Sequence, residues 1–244
     1  MRILLTVSYD GTDFCGYQIQ PNGRTVEEVL NTAIEKLTGE KVKSIASGRT
    51  DSGVHALCQK VHFDTNFSIP PEKFKNALNS LLPPDVKVIS SKKVSADFNA
   101  RYSAKKKTYR YSLYVGDFEE PLYQRYKTLI NFTPDISLMK KAGALIEGEH
   151  DFKCFLASGS SVKDTVRTVY SIKVVKKGRF IDIFVTGNGF LYNMVRMIAG
   201  ALVKVGEGKL SLDGLNEILL TGERQNKIVT MPAKGLTLYN VNYK

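Results

Sequence analysis

The 244 residues, 43% hydrophobic and 24% charged, have the makeup of a globular protein and suffice for one large domain or two modest ones with real cores. No apolar run reaches membrane-spanning length, and the opening MRILLTVSYD meets Tyr9 and Asp10 too early for a signal peptide, so the expectation is a cytoplasmic protein with no membrane partner. The net charge of +11 is unevenly placed: residues 1–100 hold 12 Lys/Arg against 11 Asp/Glu, and residues 101–244 hold 23 against 13.

In chain order, RILLTVSY reads as a strand. TVEEVLNTAIEKLTG follows with Val26, Val29, Leu30, Ala33, Ile34 and Leu37 at helical spacing, a capping box from Thr25 and Glu28, and Gly39 as the stop. Strands are expected around 42–46 and 58–64, then a helix over PPEKFKNALNSLL that ends before Pro83-Pro84, then a strand over VKVISSKKV. TYRYSLYV alternates as a strand, SLMKKAGALIEG is helical, and residues 167–187 read as a hairpin turning at Lys177-Gly178. GFLYNMVRMIAGALVKVG is a long amphipathic helix with Leu191, Met194, Val195, Ile198, Leu202 and Val203 on one side. A short helix over LDGLNEILL and a strand over GLTLYNVNY finish the chain. Two successive groups of strands and helices imply an α+β fold with antiparallel or mixed sheets and helices packed on one face, divided into residues 1–103 and 104–244.

Cys15, Cys58 and Cys154 are scattered, odd in number and never in a CxxC pair, which suits free thiols in a reducing compartment. His55, Cys58 and His62 could be drawn as zinc ligands, but alternation in CQKVHFD puts Cys58, Lys60, His62 and Asp64 on one strand face and Val61 and Phe63 on the other. No good fourth ligand follows at finger-like spacing, so a half-buried strand is the better reading and no metal is expected. The densest basic stretch, RYSAKKKTYRY, joins five basic residues to three tyrosines without an acid. Basic side chains interleaved with aromatics suit a polyanion whose bases can stack, which points to nucleic acid held chiefly by the second half.

There is no Walker A loop, no GxGxxG between strand and helix, and no nucleophile elbow. In SGRTDSGVHAL, Asp51 sits in ordinary turn chemistry, yet a carboxylate kept ionised in a water-poor pocket can do chemistry if a cation is close. Arg49 is two residues away. Arg196, set among Met194, Val195, Met197 and Ile198, is the other candidate, because an arginine among apolar residues is costly unless paired. It reads either as a structural ion pair or as the partner of a catalytic acid.

YDGTDFCGYQIQ, NGRTVEEVLNTAI, SGRTDSGVHAL, KKTYRYSLY, GEHDF, VRTV, GNGFLYNMVRMIAG and PAKGLTLYNVNY occur in this order from about Tyr9 to Tyr243. Together they resemble the tRNA pseudouridine synthase A family. The resemblance implies Asp51 as the catalytic aspartate, Arg196 as its salt-bridge partner, Tyr109 stacked on the target base, Arg49 holding RNA with the target nucleotide flipped out, and Leu236 lining the pocket. It also implies two related halves flanking a basic cleft and a homodimer. The substrate implied is tRNA, modified at uridines on the 3′ side of the anticodon stem-loop (positions 38–40), with neither cofactor nor metal. Tyr17 stands where the family often has Trp, and Ser52 where Ala is common. The residues leave open whether Asp51 bonds C6 of the base or acts at the ribose through a glycal-like route. Two rivals remain: the same chemistry on another RNA such as rRNA, and a non-catalytic RNA-binding module in which Asp51 only shapes a turn.

Overall fold

Residues 1–157, 159, 162–223 and 228–244 are described by a computed structural model. Its elements in chain order are β1 (Arg2–Tyr9), α1 (Val26–Thr38), β2 (Ile45–Ala46), β3 (His55–Asp64), α2 (Phe74–Asn79), β4 (Val86–Val94), β5 (Lys106–Val115), β6 (Thr128–Ile130), α3 (Ile136–Ile146), β7 (Gly148–Asp151), β8 (Val166–Lys177), β9 (Phe180–Gly187), α4 (Met194–Gly206), α5 (Leu212–Thr221) and β10 (Leu236–Asn242). The fold is α+β, in two compact units: Met1–Lys105 with Thr237–Lys244, and Lys106–Leu236.

In the first unit the strands lie in the order β4-β1-β3-β10, with β2 beside β3. β1 runs antiparallel to β3 and β4, whereas β10 runs parallel to β3, pairing Thr237 with His55 and Leu238 with Ala56. Alternation sends Ile3, Leu5, Val7, Val61 and Phe63 into one buried layer, where Phe63 meets Phe74 edge-on at 5.8 Å. α2 packs on β4 and α1 on α2. The expected stop of α1 is present: Gly39 adopts φ +74° and returns its N–H to Glu35 O. The expected capping box is not. Thr25 occupies the N-cap position, but the Val26 and Glu27 N–H groups go to the Gly16 and Tyr17 carbonyls, so backbone replaces the side-chain cap.

The second unit orders its strands β6-β5-β9-β8-β7, antiparallel except for β5 with β6. The β8–β9 hairpin turns at Gly178, at φ +59°. α3 packs on β8 and against α4 and α5. The long helix begins later than its apolar stripe suggests: Asn193 takes φ +61°, the one non-glycine at positive φ among the described residues, so Leu191 is buried in a turn before α4.

The strand face carrying Cys58, Lys60, His62 and Asp64 is not uniformly exposed. His62 is buried because the segment after β4 folds over it: its Nδ1 accepts the Ala100 N–H at 3.1 Å, and Phe98 meets its ring edge-on. Burial, reinforced by the Arg2 guanidinium, holds His62 below its usual 6.5, while Asp64 and a backbone hydrogen bond to Ile45 oppose the shift. The unfolded chain therefore binds this proton more readily. The stability contribution of neutral His62 is complete above pH 6.5 and is lost as pH falls through the folded-state value. Thermal melting from pH 7.5 to 5 should show an acid slope that is flatter in His62→Asn, which keeps an acceptor near the Nδ1 position but does not titrate. An unchanged slope would assign the acid sensitivity to other groups.

Candidate active site

Asp51 lies in the loop between β2 and β3, and a glycine-rich strap, residues 10–17, holds that loop in place. Tyr17 donates its N–H to Thr50 O at 3.0 Å, while the Gly53 N–H and the Ser52 hydroxyl both donate to Phe14 O. Val54 N–H closes a turn on Asp51 O at 3.1 Å. Tyr9, buried at the end of β1, is hydrogen-bonded to Thr50 Oγ1 at 2.7 Å, and burial pushes its phenol well above the usual range. A Cβ on Gly11 would collide with the Val54 carbonyl, and one on Gly16 would lie 2.9 Å from Thr50 O. On the far side, Ser47 Oγ donates to Gln59 Oε1 at 2.6 Å, and Gln59 Nε2 donates to Gly48 O at 2.7 Å. His55 is buried and accepts the Gly11 N–H at 3.0 Å. The strap itself is tied down by Arg24, which forks onto Asp85 at 2.6 and 3.0 Å and covers the Phe14 ring at 4.1 Å. The backbone around Asp51 is thus fixed on both sides, while its side chain is half-exposed and Arg49 is exposed.

In the second unit, Tyr109 and Tyr111 share one face of β5. Tyr109 is 9% exposed and meets Phe190 edge-on at 5.4 Å. Tyr111 is fully buried; its hydroxyl meets Thr128 Oγ1 at 2.7 Å and donates to Pro232 O at 2.8 Å. Burial raises the Tyr111 phenol far above its usual range, with Thr128 and the Arg196 charge pulling the other way. Gly235 packs face-on here, since a Cβ would lie 2.6 Å from the Tyr111 ring, and buried Leu236 follows it directly. Arg196, half-buried in the first turn of α4, donates Nε to Met231 O at 2.6 Å and Nη1 to Asn193 Oδ1 at 2.7 Å. One turn on, Gly200 lets the helix approach the Val229 carbonyl, which a Cβ would strike.

Of the residues the sequence singles out, Asp51 and Arg49 share the strapped loop of the first unit. Tyr109, Arg196 and Leu236 belong to the second, where Tyr111 links the Arg196 turn to the 232–236 segment. Tyr9, Phe190 and Asn193 support these side chains without having been picked out. Their signals are positional: Tyr9 ends β1 immediately before the strap, and Asn193 precedes Arg196 by three residues. Cleft size is no guide. A cleft of the first unit of about 710 Å³, lined by Arg2, Glu40 and Asp64 among others, is at the Asp64 end of β3. At roughly 3.3 Å per residue that is about 30 Å from the loop that precedes His55.

The strap makes Gly11 more sensitive than a glycine that only turns a corner. Gly11→Ala forces the Val54 carbonyl aside and should cost about 1–3 kcal/mol. Gly39→Ala, with nothing within 4 Å of the new methyl, should cost about 1 kcal/mol through backbone strain alone. Urea unfolding of the two variants side by side tests the ranking.

A family model described as tRNA pseudouridine synthase matches residues 5–103 and 142–244. Proteins named tRNA pseudouridine synthase A are 46% identical in Thermoanaerobacter sp. (strain X514), 44% in Caldicellulosiruptor bescii and 42% in Brevibacillus brevis, each over 242 residues and 99% of both chains. Among solved structures, a chain from the crystal structure of a Cbf5-Nop10-Gar1 complex aligns over 82% of this chain and 45% of its own, with 18% identity and a TM-score of 0.38. With a family model matching most of its length and relatives alike from end to end, this chain belongs to the tRNA pseudouridine synthase family.

Proposed function

We propose that the protein isomerises uridine to pseudouridine in tRNA, with Asp51 as the catalytic carboxylate. The observation that carries the reading is the likeness along 99% of the chain to proteins named tRNA pseudouridine synthase A, joined to a carboxylate whose loop is fastened on both sides. The reaction breaks the N1–C1′ bond, rotates the base and forms a C5–C1′ bond. C5 gives up a proton, N1 gains one, and no electrons are transferred. The protein's task is to supply a carboxylate that attacks base or ribose and a pocket that retains the detached uracil. Tyr109 supplies an aromatic face and Leu236 an aliphatic wall. Arg196, whose guanidinium stays charged, is the partner that keeps Asp51 ionised, and Arg49 holds RNA beside the flipped nucleotide. The same reading takes the targets to be uridines 38–40 of the anticodon stem-loop and the protein to be a cytoplasmic homodimer.

Mapping pseudouridine in total RNA from cells with and without the gene tests substrate and position together. Loss confined to the anticodon stem-loop of tRNA is expected, and loss in rRNA alone would overturn the tRNA reading. Asp51→Asn keeps size and turn capacity but removes the charge, so it should bind tRNA and form no pseudouridine; near-normal turnover would sink the mechanism.

Removing one partner of an ion pair strands the other charge, and with Asp51 half-exposed and Arg196 half-buried the cost falls below the figure of about 3–5 kcal/mol for a fully buried pair. Arg196→Met should therefore destabilise the native protein more than it destabilises a protein already carrying Asp51→Asn. Additive effects in that double-mutant cycle would separate the two residues. Stacking on an aromatic ring is worth about 1–3 kcal/mol per base, so Tyr109→Leu should impair the reaction badly. Tyr109→Phe should still hold the base, and full activity in both variants would remove Tyr109 from the pocket.

A further inference from the structure

The first unit carries a feature that the catalytic chemistry does not use. The segment after β4 is fastened at successive points: Arg2 Nη1 donates to Phe98 O at 2.8 Å, Ala100 N–H donates to His62 Nδ1 at 3.1 Å, the Tyr243 hydroxyl donates to Ala100 O at 2.9 Å, and Lys105 N–H donates to Asn242 O at 2.9 Å. Within the turn, Asn99 Oδ1 accepts the Arg101 and Tyr102 N–H groups at 2.9 and 3.1 Å, and Ser103 N–H returns to Asn99 O at 2.9 Å. This well-tied tip points its largest side chain outward. Tyr102 is 79% exposed, with the Arg101 guanidinium 5.7 Å from its ring centre. An aromatic ring on a fixed backbone offers stacking area with little conformational entropy left to lose.

A second observation lies beside it. Tyr243, which pins the tip at Ala100, also lines an open cleft of about 370 Å³ on the sheet face, together with Leu4, Lys60, Lys92, Val241 and Asn242. Lys60 gives its ammonium to Thr6 Oγ1 at 2.7 Å and Lys92 is exposed. Among the described residues neither has a carboxylate within ion-pair distance. The acid at the end of this strand face, Asp64, is bound by Arg2 at 2.7 Å. An exposed aromatic two residues from Ala100, where Tyr243 pins the tip, and lysines in the cleft that Tyr243 lines match the pattern of a single-stranded nucleic-acid contact, in which bases stack and phosphates are neutralised.

We propose that this surface is a second RNA contact, separate from the target-base pocket: Tyr102 stacks on an unpaired base of the tRNA, and Lys60, Lys92 and Arg101 hold the phosphates around it. The inference rests on the reading of tRNA as substrate and adds to it a grip in the first unit.

Binding of a tRNA transcript, measured against salt concentration, tests it independently of catalysis. Tyr102→Ala should weaken binding about 5- to 100-fold and leave the salt slope intact, while Tyr102→Phe binds as the native protein does. The Lys60→Gln/Lys92→Gln pair should flatten the slope by about 0.7 to 0.9 for each phosphate left without its lysine. The Tyr102 variants should melt as the native protein does, since that ring is at the surface, while the lysine pair, which also gives up the part-buried Lys60–Thr6 hydrogen bond, should melt slightly lower and still be folded at the binding temperature. In turnover the loss should appear in KM more than in kcat. Native affinity and native slope in both Tyr102→Ala and the lysine pair would overturn the proposal. A protein that forms pseudouridine in tRNA while those variants bind normally loses this surface and keeps its proposed function. A protein that forms none in tRNA loses the function, and the binding series still decides the surface.

Discussion

The approach of Gly11 to the Val54 carbonyl is the contact on which the placement of the Asp51 loop depends. With no room for a methyl group between them, residues 10–17 lie flat against the Asp51 loop, and their carbonyls are then in position to do two jobs. Phe14 O receives the Gly53 and Ser52 donors, and the Gly16 and Tyr17 carbonyls receive the first N–H groups of α1. One strap therefore starts the helix and fixes the loop. A reacting carboxylate loses its advantage with displacements of an ångström, so in the proposed chemistry holding the Asp51 backbone from two sides would serve function as well as stability.

The same logic explains why certain motifs travel together in the sequence. YDGTDFCGY and SGRTDSGVHAL are two sides of one backbone contact. GNGF and VRTV are another: Asn188 N–H donates to Thr168 O, Thr168 N–H donates to Asn188 Oδ1, and Gly187 leaves room for the crossing. VRMIAG touches the segment before PAKGL twice, through Arg196 on Met231 and Gly200 on Val229. Gly11, Gly16, Gly187 and Gly200 mark places where backbone must approach backbone. Such places appear in a single sequence only as isolated glycines with no visible partner.

Elements with a strong period or a firm stop were legible: α1 with Gly39, β4, the hairpin at Gly178, and β10. β6 and β7, of three and four residues, are too short to show alternation. The N-terminal shift of α4 and the missing Thr25 cap come from tertiary partners that override local preference, and His62 is buried by a segment more than thirty residues away. Charge was legible as a total but not as a distribution. A cut at residue 100 leaves the first part almost neutral, whereas the first compact unit takes in Arg101, Lys105 and Lys244 and carries 15 basic side chains against 11 acidic. Chain order hides this because β10 returns to pair with β3. Tyr102 and Lys105 of the tyrosine-and-lysine-rich stretch thus belong with Lys60 and Lys92, not with the strand that follows them.

Arg196 shows how composition can point to a site before any partner is known. The first turn of α4 contains no acid, and a cation there adds to the positive end of the helix dipole instead of offsetting it. That arrangement disfavours an isolated helix. The protein sustains it by holding the guanidinium on Met231 O and Asn193 Oδ1, the latter by means of a residue in the left-handed region. These two oxygens orient the guanidinium. Guanidinium and helix terminus each contribute positive potential at that turn, in surroundings where Tyr111 has already been stripped of water. An anion at that point would be held ionised, and that is the protonation state the proposed chemistry requires of Asp51.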